Sequence, residues 1–384
     1  MSHTGHAEPL RRLRAGIVGG GRGAFIGSVH RTAAELDGQA QVVAGAMSSD
    51  PRTARESAAA WFLERAYTSY QQMASDEAAA QDGIDFVIIA TPNDLHCPVA
   101  KAFLAAGIHV ICDKPLALTL SEGEELARLV ESGTTLFALT HNYTGYPAVR
   151  QARDMVRSGQ LGEMRKVMVE YTQDWLMEPV ENRGNKQAAW RTDPARAGLS
   201  GCVGDIGTHA QNLLEFVTGC EIEALCADLS CMVPGRRLDD DAGILLRLRG
   251  AAKGTLVCSQ VACGEENRLS IRVYGSRAGL EWHQQEPNTL IYKPAHGPWE
   301  RLLTGQGYLS PTAKAATRLP AGHPEGYLEA FANIYRAFMD DVRRVNAGHA
   351  PVRDYPGIPE GLRGLRFIAQ AVASSQAGSV WLQL

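Results

Sequence analysis

Three residues of this sequence could together move a proton beside a polarised oxygen. Lys114 stands in the run V-I-C-D-K-P, where apolar strand formers end abruptly in an acid, a lysine and a proline. Asp205 and His209 stand in G-D-I-G-T-H, four positions apart, so on a helix they share one face. An amine, a carboxylate and an imidazole that meet at one cofactor are sufficient for proton-coupled hydride chemistry.

The first part of the chain predicts a doubly wound α/β domain that would position Lys114. Between residues 14 and 140, helical patterns alternate with the runs A-G-I-V-G, V-V-A-G-A, I-D-F-V-I-I-A, I-H-V-I-C and T-L-F-A-L-T. Runs that are apolar throughout indicate parallel strands covered on both faces. Lys114 would then lie at the carboxyl end of a buried strand, where open α/β sheets bind ligands.

A glycine-rich turn directly follows the first of these strands. The segment G-G-G-R-G-A-F-I-G has the spacing G-x-G-x-x-A and ends in a further glycine. Such a turn lets the backbone approach a pyrophosphate, which sits at the N-terminus of the next helix. We therefore expect dinucleotide binding by the residues of this turn: Gly19, Gly21, Arg22, Ala24, Phe25, Ile26 and Gly27.

The end of the second strand leaves the choice between NAD and NADP open. It reads A-G-A-M-S-S-D-P-R, with no acid at the strand tip. Asp50 could bind both ribose hydroxyls and favour NAD(H), whereas Ser48, Ser49 and Arg52 could hold the 2′-phosphate of NADP(H). Asp50 equally fits a helix N-cap ahead of Pro51. We favour NAD(H).

The end of the third strand reads A-T-P-N-D-L-H and points to the other end of the cofactor. Pro92 also has a structural explanation, because a strand must stop at a proline, and His96 could be an ordinary residue at a helix terminus. The residues expected to line the ribose and nicotinamide are Thr91, Pro92, Asn93, His96, Asp113 and Lys114.

Beyond residue 142 the pattern changes to longer alternating strands, at 164–175, 222–231, 242–248, 254–261 and 269–274. Alternation over such lengths predicts an antiparallel or mixed sheet with one open face. Helices are predicted over 146–158, 205–218, 323–345 and 357–373. The sequence thus predicts a dinucleotide-binding domain, 1–141, and a substrate-binding and oligomerisation domain, 142–384, whose last helix could pack back on the first.

Composition excludes several classes of protein. Apolar residues make up 45% of the chain, and a net charge of −4 with scattered Lys and Arg offers no footprint for nucleic acid. The eight cysteines form no C-x-x-C pair and have no histidine at zinc-ligand spacing, so neither a metal site nor a disulfide framework is expected. No apolar run could span a membrane, and the polar N-terminus predicts no secretory signal. We expect a cytoplasmic protein.

The runs A-T-P-N-x-x-H, D-K-P and G-D-I-G-T-H, in this order, make nearly the whole chain resemble the glucose–fructose oxidoreductase, inositol dehydrogenase and rhizopine-catabolism (Gfo/Idh/MocA) family. The resemblance implies a Rossmann domain, then an α/β domain with a large open, mainly antiparallel sheet, and a homodimer or homotetramer. It implies that the family's lysine is Lys114 and its helix-borne acid and histidine are Asp205 and His209. The usual E-K-P has Asp113 here, and the long first loop leaves the third glycine unassigned.

Within the family, the chain is most similar to enzymes that act on levoglucosan, glucosides or inositols. Polar side chains beside an aromatic platform suit a sugar ring, whose hydroxyls need donors and acceptors. Trp175 and Trp190 could instead form a domain-interface core, and Arg191 could simply pair with Asp193. The residues expected to bind substrate are Asn142, Tyr143, Gln173, Trp175, Trp190, Arg191, Asp205 and His209.

The segment G-H-P-E-G-Y offers a second group of candidates. His323, Glu325 and Tyr327 could reach the pocket, although Pro324 and Glu325 also make a normal helix start.

The hypothesis is an NAD(P)-dependent oxidoreductase acting on a secondary alcohol of a sugar, glycoside or cyclitol. His209 would remove the alcohol proton, Asp205 would orient its ring, and Lys114 would share the base role or polarise the oxygen. One alternative is a redox-assisted glycosidase with tightly bound NAD. Another is a dinucleotide sensor without catalytic activity.

Overall fold

The computed structural model describes residues 11–384. The prediction of no secretory signal rests chiefly on residues 1–10, which lie outside this range. Within 11–384, no helix combines the length and the apolar character needed to cross a bilayer.

The first part of the chain forms a six-stranded parallel sheet in the order β3-β2-β1-β4-β5-β6. This is the strand order of a dinucleotide-binding Rossmann domain. Its strands are β1 (Leu13–Gly19), β2 (Ala40–Ala46), β3 (Arg65–Ala66), β4 (Phe86–Ala90), β5 (His109–Cys112) and β6 (Phe137–Leu139). Its helices are α1 (Phe25–Glu35), α2 (Pro51–Ala60), α3 (Tyr70–Ala79), α4 (His96–Ala105) and α5 (Leu120–Ser132).

The second part forms a nine-stranded sheet in the order β14-β13-β12-β11-β7-β10-β9-β8-β15, antiparallel except where β7 pairs with β10. The strands are β7 (Met164–Thr172), β8 (Ile222–Ser230), β9 (Asp241–Leu248), β10 (Lys253–Ser259), β11 (Arg268–Gly275), β12 (Ala278–His283), β13 (Thr289–Pro294), β14 (Glu300–Leu303) and β15 (Leu382–Gln383). The helices are α6 (Pro147–Arg157), α7 (Lys186–Arg191), α8 (Pro194–Ala197), α9 (Thr208–Thr218), α10 (Pro311–Ala315), α11 (Tyr327–Asn346) and α12 (Ile358–Gln376).

The α/β fold class with a Rossmann domain and a mainly antiparallel second sheet is therefore confirmed. Sequence patterns missed β3 and the strands β12 to β15. β3 and β15 are two residues long, and β13 and β14 are mostly half-buried or exposed, so they lack a regular apolar pattern.

The predicted helix start at residue 323 is wrong. α11 begins at Tyr327, because the Glu329 carboxylate accepts from the backbone N–H of Gly326 at 2.8 Å and closes the first turn there.

Two C-terminal helices belong to the cores of both sheets. Phe331 and Phe338 of α11 pack under the first sheet beside Phe86, whereas α12 places Leu365 against the first domain and Phe367 in the core of the second. The predicted domain boundary between residues 141 and 142 stays a prediction. Residues of α11 and α12, far beyond it in the chain, pack in the core of the first sheet.

Candidate active site

In the glycine turn, the backbone of the turn and the backbone of α1 lie in close contact. Gly19 and Gly20 have φ of +83° and +67°, and a Cβ on Gly27 would lie 2.3 Å from the Cα of Gly20. Gly27 therefore fills the unassigned position that packs the helix against the turn, while Ala24 is the N-cap residue of α1.

The start of α1 fits an anionic group. Its N-cap makes no side-chain hydrogen bond, and no acidic residue stands in the first turn, so its N–H groups and positive dipole end are available to a pyrophosphate. The side chains of Phe25 and Ile26 line the cavity described below. Arg22 is exposed and lies 3.8 Å from Glu56.

Lys114 reaches across from the end of β5 to the second domain. Its Nζ donates to the Asp205 carboxylate oxygen Oδ1 at 2.7 Å and to the Asp205 backbone oxygen at 2.6 Å. The other carboxylate oxygen accepts from Gln260 Nε2 at 2.9 Å and from Arg191 Nε at 3.3 Å. Although burial opposes ionisation, the charges of Lys114 and Arg191 hold the pKa of Asp205 well below its ordinary value.

His209 is nearly buried, with 7% of its surface exposed, and packs edge-on against Tyr143 with 4.9 Å between ring centroids. Among the described residues its one ring-nitrogen hydrogen bond joins Nδ1 to His141 Nδ1 at 3.5 Å. Burial, then the positive charge of Lys114, lowers the pKa of His209 well below its ordinary value. The imidazole is therefore neutral at physiological pH and can accept a proton.

The expectation that Asp205 orients the His209 ring is wrong. Every hydrogen bond of the Asp205 carboxylate within residues 11–384 goes to Lys114, Arg191 or Gln260. Asp205 instead lies in a π-helical turn, Val203–Gly207, ahead of α9, and single π turns of this kind are frequent at functional sites.

Asp239, which sequence reasoning missed, fixes the start of that turn. Its carboxylate accepts from Ser200 Oγ at 2.9 Å and from the backbone N–H groups of Gly201 and Val203 at 2.9 and 3.0 Å. Because these bonds hold the backbone just before Asp205, they also fix the partner of Lys114.

Lys114, Asp205 and His209 line one cavity of about 490 Å³ between the two domains. This volume suits a small ligand. Of the other predicted residues, the same cavity includes Phe25, Ile26, Asp113, Asn142, Tyr143, Gln173, Trp175 and Arg191.

Asp113 lines the cavity and also contacts buried residues of the Rossmann domain. It accepts from Thr140 Oγ1 at 2.9 Å, and His30 Nε2 lies 3.8 Å away. Burial opposes its ionisation, but His30 and Lys114 hold the pKa of Asp113 below its ordinary value. Asp113 therefore places a negative charge beside Lys114, as the longer glutamate of the usual E-K-P motif would.

The structure does not bring His96 or Asn93 to the cavity. His96 is fully buried, with Nδ1 2.7 Å from the Pro115 oxygen and Nε2 3.0 Å from the Thr91 oxygen. The amide of Asn93 donates to the Ala197 oxygen at 3.0 Å. Both ring nitrogens of His96 face backbone oxygens, so the predicted cofactor contact of its ring is corrected. The cofactor contact of Asn93 stays a prediction. Thr91 and Pro92 are half-buried at the end of β4, and Thr91 adjoins Gly19.

Trp190 is also displaced from its predicted role. It lies outside the cavity lining and stacks on the Arg191 guanidinium at 4.2 Å, so it positions Arg191 instead of forming a sugar platform. The proposed pairing of Arg191 with Asp193 is wrong, because Arg191 donates to Asp205 at 3.3 Å and Asp193 accepts from Arg237 at 3.3 Å.

At the second strand, Asp50 is the N-cap of α2 and accepts from Thr53 N at 2.7 Å. Ser48 accepts from the Asp50 backbone N–H, and Arg52 donates to Glu56 at 2.7 Å. All three lie outside the cavity lining, as expected for residues at the far end of a dinucleotide.

The comparisons with known proteins agree with this architecture. Residues 13–141 match the family described as "Oxidoreductase family, NAD-binding Rossmann fold", and residues 149–281 match "GFO/IDH/MocA C-terminal domain". The chain belongs to the GFO/IDH/MocA oxidoreductase family. Its first domain is an NAD-binding Rossmann domain.

Named relatives of this GFO/IDH/MocA member include sugar and cyclitol dehydrogenases. The oxidoreductase YfiI of Bacillus subtilis (strain 168) is 36% identical over 391 residues, covering 100% of each chain. A solved structure of an inositol dehydrogenase homolog from Azotobacter vinelandii, complexed with NADH and myo-inositol, is 36% identical with a TM-score of 0.91, covering 97% of this chain and 98% of that chain. Levoglucosan dehydrogenase of Pseudarthrobacter phenanthrenivorans is 27% identical over 314 residues, covering 73% of this chain and 76% of the relative.

Several cavity residues of this GFO/IDH/MocA member escaped sequence reasoning. The missed residues include Tyr171, Gln187, Asn267, Gln284 and Phe331. Only Gln187 carried a signal, since it stands one helical turn before Arg191 and accepts from its Nη1 at 2.8 Å.

Of the second group of candidates, His323, Glu325 and Tyr327, only Tyr327 lines the cavity. His323 is exposed, and Glu325 accepts from the backbone N–H groups of Arg318 and Leu319, so both are corrected to structural positions.

Proposed function

We propose that this oxidoreductase transfers hydride between NAD and a secondary alcohol of a cyclitol or sugar. The observation that carries the proposal is the shared cavity. The Lys114 amine and the His209 imidazole, from different domains, both line it beside Phe25 and Ile26 at the start of α1. An inositol dehydrogenase homolog and levoglucosan dehydrogenase are similar to the chain over most of its length.

The proton chemistry falls to three side chains. Neutral His209 accepts the proton of the substrate hydroxyl, and Lys114 donates a hydrogen bond to the same oxygen. Asp205, ionised and bonded to Lys114 at 2.7 Å, holds the amine toward the cavity. NAD, when bound, supplies the acceptor for the hydride.

The second strand supports NAD over NADP. Asp50 Oδ1 carries the N-cap bonds, which leaves Oδ2 of this exposed carboxylate available to ribose hydroxyls. Arg52, the one cation of the alternative 2′-phosphate site, donates to Glu56 at 2.7 Å. A polyol as the ligand and assembly into a dimer or tetramer remain part of the proposal.

The test is a spectrophotometric screen of reduced nicotinamide with myo-inositol, levoglucosan and glucose, each with NAD⁺ and with NADP⁺. We expect free NADH to accumulate with at least one polyol, and kcat/KM to be higher with NAD⁺ than with NADP⁺. Cleavage of a glycoside without accumulation of NADH would instead identify a redox-assisted glycosidase. Absence of turnover across the panel would reject the proposed class of substrate.

A further inference from the structure

One wall of the cavity is a continuous chain of hydrogen bonds. Trp175 Nε1 donates to Gln173 Oε1 at 3.0 Å, and Gln173 Nε2 donates to Asn267 Oδ1 at 2.6 Å. The same Asn267 oxygen accepts from the Tyr171 hydroxyl at 2.9 Å, which in turn lies 2.5 Å from the Tyr143 hydroxyl. All five side chains line the cavity.

The direction of every bond in this wall is fixed by its ends. An indole N–H can only donate, so the atom of Gln173 that faces Trp175 must be its oxygen, and its amide nitrogen must face Asn267. Asn267 therefore turns its oxygen to Gln173 and Tyr171. Because the Tyr171 hydroxyl donates to Asn267, the Tyr143 hydroxyl must donate to Tyr171.

These bond directions determine which atom of the Asn267 side chain is available to a ligand. Its oxygen accepts from two donors, whereas its Nδ2 group, which lies near the Tyr143 hydroxyl, donates in no hydrogen bond of standard geometry to another residue within 11–384. Burial raises the pKa of both Tyr143 and Tyr171 above the ordinary value, so both phenols keep their protons through the neutral range. The donors that fix Asn267 are thus permanent.

We propose that Asn267 is a specificity-determining residue whose Nδ2 hydrogens bind an oxygen acceptor of the substrate, oriented by Trp175 through Gln173. The proposal rests on the proposed function, since it assigns part of the same cavity. It requires a substrate that places a hydroxyl or ether oxygen opposite Asn267. Trp175 then has a positioning role in addition to its aromatic face.

The first test is Asn267→Asp, which keeps the size and an oxygen for Gln173 and Tyr171 but replaces both N–H donors by an acceptor. With whichever of myo-inositol, levoglucosan and glucose the wild type oxidises fastest, we expect kcat/KM to fall about 10- to 100-fold, mainly through KM. We also compare the wild type and Asn267→Asp on a series of monodeoxy analogues of this substrate. For the analogue that lacks the oxygen bound by Asn267, kcat/KM of the two proteins should differ by less than about threefold. Gln376→Glu makes the same chemical change at an exposed position and serves as the control.

The second test is Trp175→Phe, alone and with Asn267→Asp. Phenylalanine keeps an aromatic face but cannot orient Gln173, so kcat/KM should fall about 3- to 10-fold alone and less than twofold in the Asn267→Asp background. Additive losses, or an Asn267→Asp protein with wild-type KM on every analogue, would overturn the inference while leaving the proposed function intact. Wild-type protein that oxidises none of myo-inositol, levoglucosan and glucose would overturn both. Thermal unfolding and NADH binding verify that each variant is folded.

Discussion

His96, at the start of α4, and His209, beside the cavity, are two predicted site histidines with similar burial and different surroundings. Both ring nitrogens of His96 lie within 3.0 Å of backbone oxygens, from Pro115 and Thr91. In the described part of the chain, the one ring-nitrogen hydrogen bond of His209 is the 3.5 Å contact with His141, and its ring lines the cavity. Burial lowers the pKa of both histidines.

Burial and motif position therefore do not by themselves identify an acid–base histidine. What matters is whether a ring nitrogen remains available to a substrate. His96 joins the ends of β4 and β5, which carry Thr91 and Pro115, whereas His209 stands beside Lys114 on the other side of the interface. The predictions below test this separation between a structural and a catalytic histidine.

The largest effect is expected from Lys114→Ala. The variant removes the donor to the substrate oxygen, so kcat should fall about 10²- to 10⁴-fold with NADH affinity little changed. Steady-state kinetics and NADH fluorescence measure the two quantities. Lys101→Ala, a half-exposed lysine paired with Glu125, is the matched control and should keep wild-type kcat. Unchanged turnover of Lys114→Ala would remove this amine from the mechanism.

A loss of about 10²- to 10³-fold in kcat is expected for His209→Asn, because an amide cannot accept the alcohol proton. Since burial lowers the pKa of His209, wild-type kcat should stay level as the pH falls through 6.5, the ordinary histidine value. The exposed His349 provides the control variant His349→Asn. A wild-type profile that declines at the ordinary histidine pKa would contradict a neutral, buried base.

For His96→Ala the comparison predicts the opposite outcome. The variant removes the one N–H that a neutral His96 can donate to these backbone oxygens and opens a cavity, so the free energy of unfolding should fall by about 2–4 kcal/mol. Activity per folded molecule should stay within about threefold of the wild type. Urea denaturation and kcat normalised to folded protein measure both. A large loss of kcat with unchanged stability would restore His96 to the nicotinamide site.

The smallest effect concerns acid sensitivity at His141, the neighbour of His209. Burial lowers the pKa of His141 to about 3. The unfolded chain binds a proton below about pH 6.5 and the folded protein does not, so this residue makes stability fall by about 2 kcal/mol between pH 7 and pH 5. The ionised Asp113 and Asp205 lose their contribution only in more acidic solution, because the pKa of each is below its ordinary value.

Denaturation of His141→Gln at both pH values should therefore show a difference smaller by about 2 kcal/mol than in the wild type. His296→Gln, at an exposed position, should behave like the wild type. An equal pH dependence in His141→Gln would assign the acid sensitivity to other groups.

Local patterns of apolar residues predicted many of the strands. Uniformly apolar runs predicted the parallel strands that flank the glycine turn, because strands covered on both faces have no polar side. Alternation predicted β7 to β11, where one face packs on helices. The short strands β12 to β15 had no such period, since few of their residues alternate between core and solvent.

The glycine turn, the place of Lys114 at the end of a buried strand, and the spacing of Asp205 and His209 could all be recognised from residue order. Three partnerships appear first in the folded protein: Asp205 bonds Lys114 instead of His209, both ring nitrogens of His96 face backbone oxygens, and Asn267 completes a cavity wall. Spacing along a chain fixes which side chains share an element. Which partner satisfies a buried polar atom depends on what other elements bring within hydrogen-bond distance.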